Sequence, residues 1–317
     1  MPEATVQAQA KVNLFLRILG REESGYHRIE TLYQRISLAD TVVVRTAVSG
    51  RSLDCRGADA GPVESNLAFR AATGFRDAAG WPDSFAIELD KTIPVGGGLG
   101  GGSADAGAVL RALNAMAPRR LDDETLLAVA RGLGADVPFL TGESPTAIGF
   151  VRGDVFAACS PPPPRDMILL VPPFGVSSRD AFGWYAASRE AAGRQPDPMA
   201  TPAAGIGLVA GDAALAATHS PERPGAGSPE RHFSWQEIAA LSGNDLQDVV
   251  VKRHPVIGTA IALLRAAGAP IAQMTGSGST AFGVFPDGPS VGLVGVPPGF
   301  TVLHAKTATR TAPVTIA

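Results

Sequence analysis

The chain has 317 residues, of which 45% are hydrophobic and 18% charged, a composition typical of a folded protein with a sizeable core. Its length favours two domains over one and excludes a small disulfide-stapled scaffold. The 27 basic and 30 acidic residues give a net charge of −3, which argues against nucleic acid or an anionic membrane as the main partner. A small-molecule partner is favoured.

The cysteines and the apolar segments indicate the compartment. Cys55 and Cys159 are too few for a zinc cluster or a disulfide framework and are typical of a reducing environment. No segment approaches the roughly 18 uninterrupted apolar residues of a membrane span, and no basic stretch precedes the apolar start of the chain. We expect a cytoplasmic protein, and the sequence leaves open whether it is a monomer or a homodimer.

The N-terminal third is predicted to be mostly sheet. Apolar and β-branched residues predict a strand over 5–20 and a second over 29–44, with Asp40 marking a turn. A helix with Asn66 at its N-cap crosses this sheet as far as residue 79, and residues 85–89 return to strand.

The next segment is the most informative, because six glycines stand among the seven residues 96–102. Each glycine raises the entropic cost of ordering the loop, so the glycines indicate a close approach of the backbone to a ligand. Ser103 is predicted as the N-cap of a helix that Pro118 ends. Since the amides of such a loop and the positive end of the helix dipole attract anions, the segment predicts a phosphate site.

A Walker P-loop, a Rossmann fingerprint and a bare linker each fit the glycine loop poorly. The P-loop requires Gly-Lys-Ser or Gly-Lys-Thr, which does not follow the glycines. The Rossmann fingerprint requires a following strand with an acidic end within a βαβ unit, and none lies at the right distance. A bare linker would not be bracketed by Pro94 and a well-capped helix.

The remaining elements follow in order. A helix over 122–133 precedes Asp136, which lies on a tight corner, and the four prolines at 161–164 predict a boundary between domains 1–160 and 165–317. We predict flexible chain rich in Ala, Gly, Pro and Ser over 192–231. The other predicted elements are a strand over 167–171, a short helix over 179–186, helices over 207–218 and 249–267, and a strand over 281–285.

The loop at 94–103, Pro-Val-Gly-Gly-Gly-Leu-Gly-Gly-Gly-Ser, resembles the phosphate-binding motif of the GHMP kinases. Residues 275–282, Thr-Gly-Ser-Gly-Ser-Thr-Ala-Phe, resemble their third motif, in the same order along the chain. Further segments are similar to those of the GHMP kinases that act on 4-diphosphocytidyl-2-C-methyl-D-erythritol: residues 8–16, 25–33, 66–71, 134–139 and 244–246. The helix that usually ends this family's chain is not evident after residue 286.

The resemblance implies an α+β, two-domain GHMP kinase fold, with an N-terminal ATP-binding domain, a C-terminal ferredoxin-like domain and the substrate in the cleft between them. It implies an ATP-dependent kinase that phosphorylates the 2-hydroxyl of that cytidine compound in the non-mevalonate (methylerythritol phosphate) isoprenoid pathway. The phosphates of ATP imply Mg²⁺. The protein ligand of the metal stays open, with Ser103 as the one candidate.

The resemblance also implies roles for individual residues. Asp136 would orient and deprotonate the substrate hydroxyl, and Lys11 would neutralise the developing charge. Tyr26 and Phe182 would stack on the cytosine, and His27 would recognise its edge. Asn13 would help to hold either the methylerythritol part of the substrate or Lys11. Ser177 would contact the diphosphate of the substrate. The implied ATP-binding residues are Pro94, Val95, Gly96, Gly97, Gly98, Leu99, Gly100, Gly101, Gly102, Ser103 and Ala104, the last standing where the family often has a second serine.

Each of these roles has a simpler alternative. Asp136 could only cap the next turn, Lys11 could snorkel from an edge strand, and Tyr26 with His27 could be an ordinary loop. The chain could also be a GHMP kinase for mevalonate, homoserine or a sugar, the related diphosphomevalonate decarboxylase, or a catalytically silent homologue. The Tyr26–His27 pair argues against the other enzymes, and the presence of both Lys11 and Asp136 argues against the silent homologue.

Overall fold

The structure consists of two β-sheets with helices packed against them. It is a computed structural model that describes residues 1–22, 25–57, 61–192, 231–289 and 292–317. The helix expected over 207–218, and nearly all of the segment 192–231 expected to be flexible, lie outside these ranges. Among the described helices, none combines the length and the apolarity needed to span a membrane.

The larger sheet is dominated by two long antiparallel strands, β1 (Glu3–Arg21) and β2 (His27–Thr46), whose register places Lys11 opposite Arg35 and Asn13 opposite Tyr33. The pairing sets these four residues close together. The nine strands of this sheet are β1 (Glu3–Arg21), β2 (His27–Thr46), β3 (Arg51–Arg56), β4 (Phe85–Asp90), β5 (Thr146–Phe150), β6 (Val155–Ser160), β8 (Arg231–His232), β9 (Gly243–Asn244) and β13 (Val314–Ile316).

The turn expected at Asp40 is wrong, because β2 runs through this residue without a break. The Asp40 carboxylate is buried and accepts hydrogen bonds from the backbone amides of Thr92 and Ile93, at 2.5 and 2.7 Å. The acid therefore holds a neighbouring loop that is remote in sequence, and it does not end its own strand.

The larger sheet contacts the helices α1 (Leu67–Ala79), α2 (Gly101–Met116) and α4 (Val137–Thr141), and α3 (Asp123–Arg131) packs against these helices. Asn66 caps α1 as expected, accepting a hydrogen bond from the amide of Ala68. A Cβ atom on Gly107 of α2 would lie 2.5 Å from the Leu140 oxygen, so α2 and α4 pack backbone against backbone. This close packing leaves no room for a side chain between α2 and the middle of α4.

Ser103 is not the N-cap of α2, contrary to the expectation. The cap is Gly100, whose φ of +73° is a left-handed conformation that glycine adopts without strain, and Ser103 lies in the first helical turn. The expected helix over 249–267 is also wrong as one element. It is broken at His254, because the residue before Pro255 disfavours helical geometry and the proline lacks an amide donor.

The second sheet is antiparallel, in the order β10 (Ile271–Met274), β11 (Ala281–Phe285), β7 (Asp166–Val171) and β12 (Thr301–Lys306). The prolines at 161–164 separate β6 from β7, and hence the two sheets along the chain. However, β8, β9 and β13 come from beyond residue 165 and join the larger sheet. After residue 286 the described chain contains two strands and no helix.

The remaining helices are α5 (Ser178–Ala191), α6 (Trp235–Leu241), α7 (Gln247–Val251) and α8 (Pro255–Ala266). A hydrophobic core between the second sheet, α5, α7 and α8 is separate from the core under α1 and α2. The helix predicted over 179–186 is present but longer, since α5 continues to Ala191.

Candidate active site

A cavity of about 1390 Å³ is lined by nearly all the residues that the sequence predicted as catalytic or binding residues. Among those residues, all of them described, Ala104 alone does not line it, because its side chain is buried in the core beneath α2. The residues that do line the cavity are Lys11, Asn13, Tyr26, His27, Pro94, Val95, Gly96, Gly97, Gly98, Leu99, Gly100, Gly101, Gly102, Ser103, Asp136, Ser177 and Phe182.

The glycine loop at 94–100 is packed against the second glycine-rich loop at 275–280. A Cβ atom on Gly98, whose φ is +76°, would lie 2.4 Å from the backbone oxygen of Thr275, so no side chain fits there. The Gly97 oxygen also accepts a hydrogen bond from the amide of Thr280, at 3.2 Å. The loop leads into the first turn of α2, whose unpaired amides can bind an anion.

Lys11 and Asp136 meet at the wall of this cavity. Lys11 Nζ lies 3.3 Å from Asp136 Oδ2, with the lysine side chain 4% and the aspartate side chain 29% exposed. Lys11 therefore does not snorkel, and β1 is an interior strand of its sheet. Asp136 immediately precedes α4, but the described structure contains no capping hydrogen bond from its side chain. The carboxylate faces Lys11 and the cavity.

Asn13 fixes the lysine from the other side. Its Oδ1 accepts a hydrogen bond from Lys11 Nζ at 2.8 Å, and its Nδ2 donates to Thr31 Oγ1 at 2.8 Å. The Thr31 hydroxyl donates in turn to the Phe15 oxygen, so the orientation of the Asn13 amide is set by a chain of hydrogen bonds. Of the two roles expected for Asn13, these contacts favour holding Lys11. Sequence reasoning included Thr31 in a segment that resembles the family but gave it no role.

The aromatic residues lie at another part of the cavity. The His27 and Phe182 rings are stacked, with centroids 5.1 Å apart and planes at 22°, and Tyr185 meets His27 edge-on. Tyr26 is 61% exposed, and Arg152 Cζ lies 4.2 Å from the centre of its ring. Burial first, and then the charge of Arg21, lower the pKa of His27, so that its ring is neutral at pH 7.

Two further polar residues, Ser177 and Asn244, make hydrogen bonds within the protein. Ser177 caps α5, accepting from the amide of Asp180 at 3.1 Å and donating to its carboxylate at 2.7 Å. Asn244 Nδ2 donates to the oxygens of Met274 and Gly276, at 2.9 and 2.8 Å. The Asn244 side chain thus supports the loop at 275–280, whereas a contact of Ser177 with a substrate diphosphate stays a prediction.

Comparison with known proteins agrees with this geometry. The family described as "GHMP kinases N terminal domain" matches residues 66–143, and that described as "GHMP kinases C terminal" matches residues 226–294. A 4-diphosphocytidyl-2-C-methyl-D-erythritol kinase of Pelotomaculum thermopropionicum is 38% identical over 285 residues, which cover 89% of each chain. The chain belongs to this kinase family. The kinase of the same name from Desulfotalea psychrophila is 36% identical over 88% of this chain and 85% of its own.

Solved structures extend the comparison. A crystal structure titled 4-(cytidine 5'-diphospho)-2C-methyl-D-erythritol kinase aligns with a TM-score of 0.64 and 34% identity, covering 89% of this chain and 90% of that one. The homoserine kinase of Cytophaga hutchinsonii aligns with a TM-score of 0.62 at 16% identity, over 100% and 97% of the two chains, and so shares the fold alone. The expected α+β GHMP kinase fold and the expected kinase activity are confirmed.

Sequence reasoning missed a buried ion cluster behind the loop of this kinase. Lys91 Nζ donates to carboxylate oxygens of both Asp40 and Asp105, and all three side chains are buried. Asp105 Oδ1 is buried with no hydrogen-bond partner in the described part of the chain. Burial, opposed by Lys91, raises the pKa of Asp105 to about 7. The cluster ties the first turns of α2 to β2, and no local pattern reveals it.

Tyr33 was missed as well. Its ring is buried, it lines the cavity, and its centre lies 5.7 Å from Lys11 Nζ. Burial, reinforced by the charge of Asp136, raises the pKa of Tyr33 well above its usual range, so the hydroxyl keeps its proton. A metal centre made of protein carboxylates, histidines and cysteines does not occur among the described residues. Ser103 as a Mg²⁺ ligand stays a prediction.

Proposed function

We propose that this chain transfers the γ-phosphoryl group of ATP to the 2-hydroxyl of 4-diphosphocytidyl-2-C-methyl-D-erythritol, a step of the methylerythritol phosphate pathway. The observation that carries the proposal is the Lys11–Asp136 pair, which lines one cavity with the glycine loop and the His27–Phe182 stack. The 38% identity with the Pelotomaculum kinase supports the choice of substrate.

Phosphoryl transfer requires positioning and charge stabilisation more than covalent help from the protein. The loop at 94–100 and the first turn of α2 would bind the phosphates of ATP through backbone amides. Asp136 would accept the hydroxyl proton as the new O–P bond forms and ADP leaves. Lys11, held by Asn13, would stabilise the charge that develops on the transferred group and on the attacking oxygen.

The phosphates of ATP carry negative charge, and Mg²⁺ neutralises part of this charge when it is bound to them. Mg²⁺ keeps several waters and takes few protein ligands at such sites, which fits a cavity wall offering the hydroxyl of Ser103 in the first turn of α2. We therefore assign Ser103 as the residue that would hold the metal.

For the cytidine half, Tyr26 and Phe182 supply the flat surfaces on which a base stacks, and each such contact contributes about 1–3 kcal/mol at other nucleotide sites. A neutral His27 offers one donor and one acceptor nitrogen, which suits the edge of cytosine. We also propose that the protein works in the cytoplasm, with small molecules as its partners.

The deciding experiment measures ADP release with the cytidine substrate, mevalonate, phosphomevalonate and homoserine, each at several concentrations. We expect kcat/KM to be highest for the cytidine substrate by at least about 100-fold, or roughly 2.7 kcal/mol. The same assays with Asp136→Asn control for contaminating kinases. A higher kcat/KM for any of the other three acceptors would overturn the assignment.

A further inference from the structure

Arg35 carries a charge into the interior of the protein. The residue is 2% exposed, and the described residues provide no salt bridge to it. Burial first, and then the charge of Arg111, lower the pKa of Arg35 to about 9, which reflects the cost of placing a cation there. Its hydrogen bonds go to backbone oxygens, so the position of the guanidinium group is tied to one short segment of chain.

That segment is the C-terminal end of α4. Arg35 Nη2 donates to the oxygens of Phe139 and Gly142, each at 2.8 Å, and Nε donates to the oxygen of Ser144 at 3.1 Å. The last carbonyl groups of a helix have no partner within the helix, and a helix this short is unstable by itself. Arg35 therefore supplies bonds that keep α4 folded and anchored.

The N-terminal end of α4 carries the proposed catalytic residue Asp136. Asp136 immediately precedes Val137, the first residue of α4, and the helix is only about 7.5 Å long at 1.5 Å per residue. Loss of the C-terminal anchor would let the helix tilt or unwind. Either movement would displace the Asp136 carboxylate from its position 3.3 Å from Lys11 Nζ.

A second connection runs through stacked rings. Arg35 Cζ lies 5.0 Å from the centre of the Phe139 ring, which stacks on Tyr33 with centroids 4.8 Å apart and planes at 13°. The centre of the Tyr33 ring lies in turn 5.7 Å from Lys11 Nζ. Because Tyr33 and Arg35 are two residues apart on β2, they share one face of the strand, and their partners on β1 are Asn13 and Lys11.

We propose that Arg35 is a positioning residue for phosphoryl transfer, which holds Asp136 through α4 and Lys11 through the Phe139–Tyr33 stack. Arg35 is outside the cavity lining and touches no substrate, so its effect is on the geometry of the pair. The inference rests on the proposed function for its kinetic readout only.

The test compares Arg35→Gln and Arg35→Lys with Arg111→Gln. Arg111→Gln is the control for charge, because Arg111 is a half-buried arginine whose charge reaches Arg35 and Glu143, whereas its hydrogen bond goes to the backbone oxygen of Ala312 and not to α4. For Arg35→Gln we expect kcat to fall by about 10–100-fold with the KM for ATP changed less than about twofold. Arg35→Lys should be intermediate, and Arg111→Gln should retain kcat within about twofold.

Coupling to Asp136 separates positioning from general destabilisation. In an Asp136→Asn background, Arg35→Gln should lower kcat further by a clearly smaller factor than in the wild type, because one of the two residues that Arg35 positions is already inactive. A purely structural residue would give the same factor in both backgrounds. Equal factors, or an unchanged kcat in correctly folded Arg35→Gln, would overturn the proposal.

Hydrogen exchange of the ligand-free proteins tests the role of Arg35 without an activity measurement. Backbone amides of residues 137–144 should exchange faster in Arg35→Gln than in the wild type or Arg111→Gln, whereas exchange in the strands of the larger sheet should be unchanged. Should the wild type fail to use the cytidine substrate, the proposed function falls and this measurement still decides the inference. Unchanged exchange would overturn it. Arg35→Lys, which keeps the charge but can make fewer of the three hydrogen bonds, replaces Arg35→Gln if that variant does not fold, and a smaller acceleration of the same amides is then expected.

Discussion

The backbone amide of Lys11 donates a hydrogen bond to the backbone oxygen of Leu99 at 2.9 Å. The glycine loop is thus bonded directly to the strand residue whose side chain reaches Asp136. A phosphate bound by the loop, as we propose, would therefore share one rigid support with the Lys11 ammonium. This arrangement would let a loop rich in glycine, which is costly to order, hold a reacting group with the accuracy that phosphoryl transfer demands.

The first prediction concerns this pair. Asp136→Asn should lower kcat by roughly 10²–10⁴-fold, since the amide cannot accept the hydroxyl proton, while ATP binding stays nearly intact. Lys11→Met should lower kcat similarly, with the KM for ATP changed less, because its charge is needed most in the transition state. Steady-state kinetics and calorimetric titration with a non-hydrolysable ATP analogue measure both effects.

Asp77→Asn serves as the control, because Asp77 is an exposed acid of α1 paired with Arg76. It should leave both kcat and nucleotide affinity unchanged. An Asp136→Asn enzyme that kept more than half of the wild-type kcat would remove Asp136 from the mechanism.

The second prediction concerns the contact between the two glycine-rich loops. Gly98→Ala should weaken binding of the ATP analogue by at least about tenfold, or roughly 1.4 kcal/mol. The reason is that the new Cβ atom would lie 2.4 Å from the Thr275 oxygen and push the loops apart. Gly100 is a less clean choice, since a Cβ atom there would meet Lys11 Cε at 3.1 Å and disturb the lysine as well.

Gly80→Ala is the matched control for this variant. Gly80 also has a positive φ, +67°, but no described atom lies within 4 Å of the Cβ position. Both substitutions should lower the unfolding midpoint through backbone strain, about 1–2 kcal/mol for a non-glycine residue in the left-handed region. Only Gly98→Ala should also weaken nucleotide binding. Equal affinity in both variants would show that the loop contact does not matter for ATP.

The parts of the site that lie within a few residues of each other could be predicted from the sequence. The glycine loop, the N-cap Asn66 and the corner at Asp136 each depend on local rules for turns and helix ends, and the structure has them at the expected places. Ser103 was misplaced by the same rules, because a serine is the more usual cap but Gly100 reaches the left-handed conformation that starts α2 earlier.

The contacts that hold the site in place could not be predicted, because their partners are distant along the chain. Asp40 looked like a turn residue, and its bonds to Lys91 and to the amides of Thr92 and Ile93 explain a buried acid in mid-strand. Arg35 likewise gave no local signal of its bonds to α4. The break before Pro255 is different, since the proline was visible in the sequence and should have ended the predicted helix.

The third prediction concerns His27 and pH. Burial and Arg21 lower its pKa, so the neutral ring, with one acceptor nitrogen, is present above that value and is lost as the pH falls through it. The KM for the cytidine substrate should therefore rise as the pH falls below about 6.5, the ordinary histidine value. His27→Gln, whose amide donates and accepts without titrating, should show a flatter profile over the same range.

Base selectivity gives an independent check on His27. His27→Ala should reduce the ratio of kcat/KM for the cytidine substrate over its uridine analogue, because a base edge left without its partner is what penalises the wrong base. An unchanged ratio together with parallel pH profiles of wild type and His27→Gln would mean that this residue only packs against Phe182.

The last prediction concerns the buried carboxyl group beside Lys91. Burial raises the pKa of Asp105 from 3.8 to about 7, so between these values the folded protein holds a proton that the unfolded chain has released. Stability contributed by this group is therefore largest at low pH and decreases as the pH rises towards 7. Asp105→Asn removes the titration, keeps the volume, and leaves Lys91 its hydrogen bond to Asp40.

We expect the free energy of unfolding of the wild type, relative to that of Asp105→Asn, to fall steadily between pH 4 and pH 7 and to level off above about pH 8. Urea unfolding at one-unit intervals measures it. Asp122→Asn is a control of opposite sign, since the hydrogen bond from Thr125 lowers the pKa of this exposed cap, and its contribution is lost only below pH 3.8. A relative stability independent of pH from 4 to 7 would mean that Lys91 keeps Asp105 ionised throughout, and the cluster would then be a fixed ion triad behind the glycine loop.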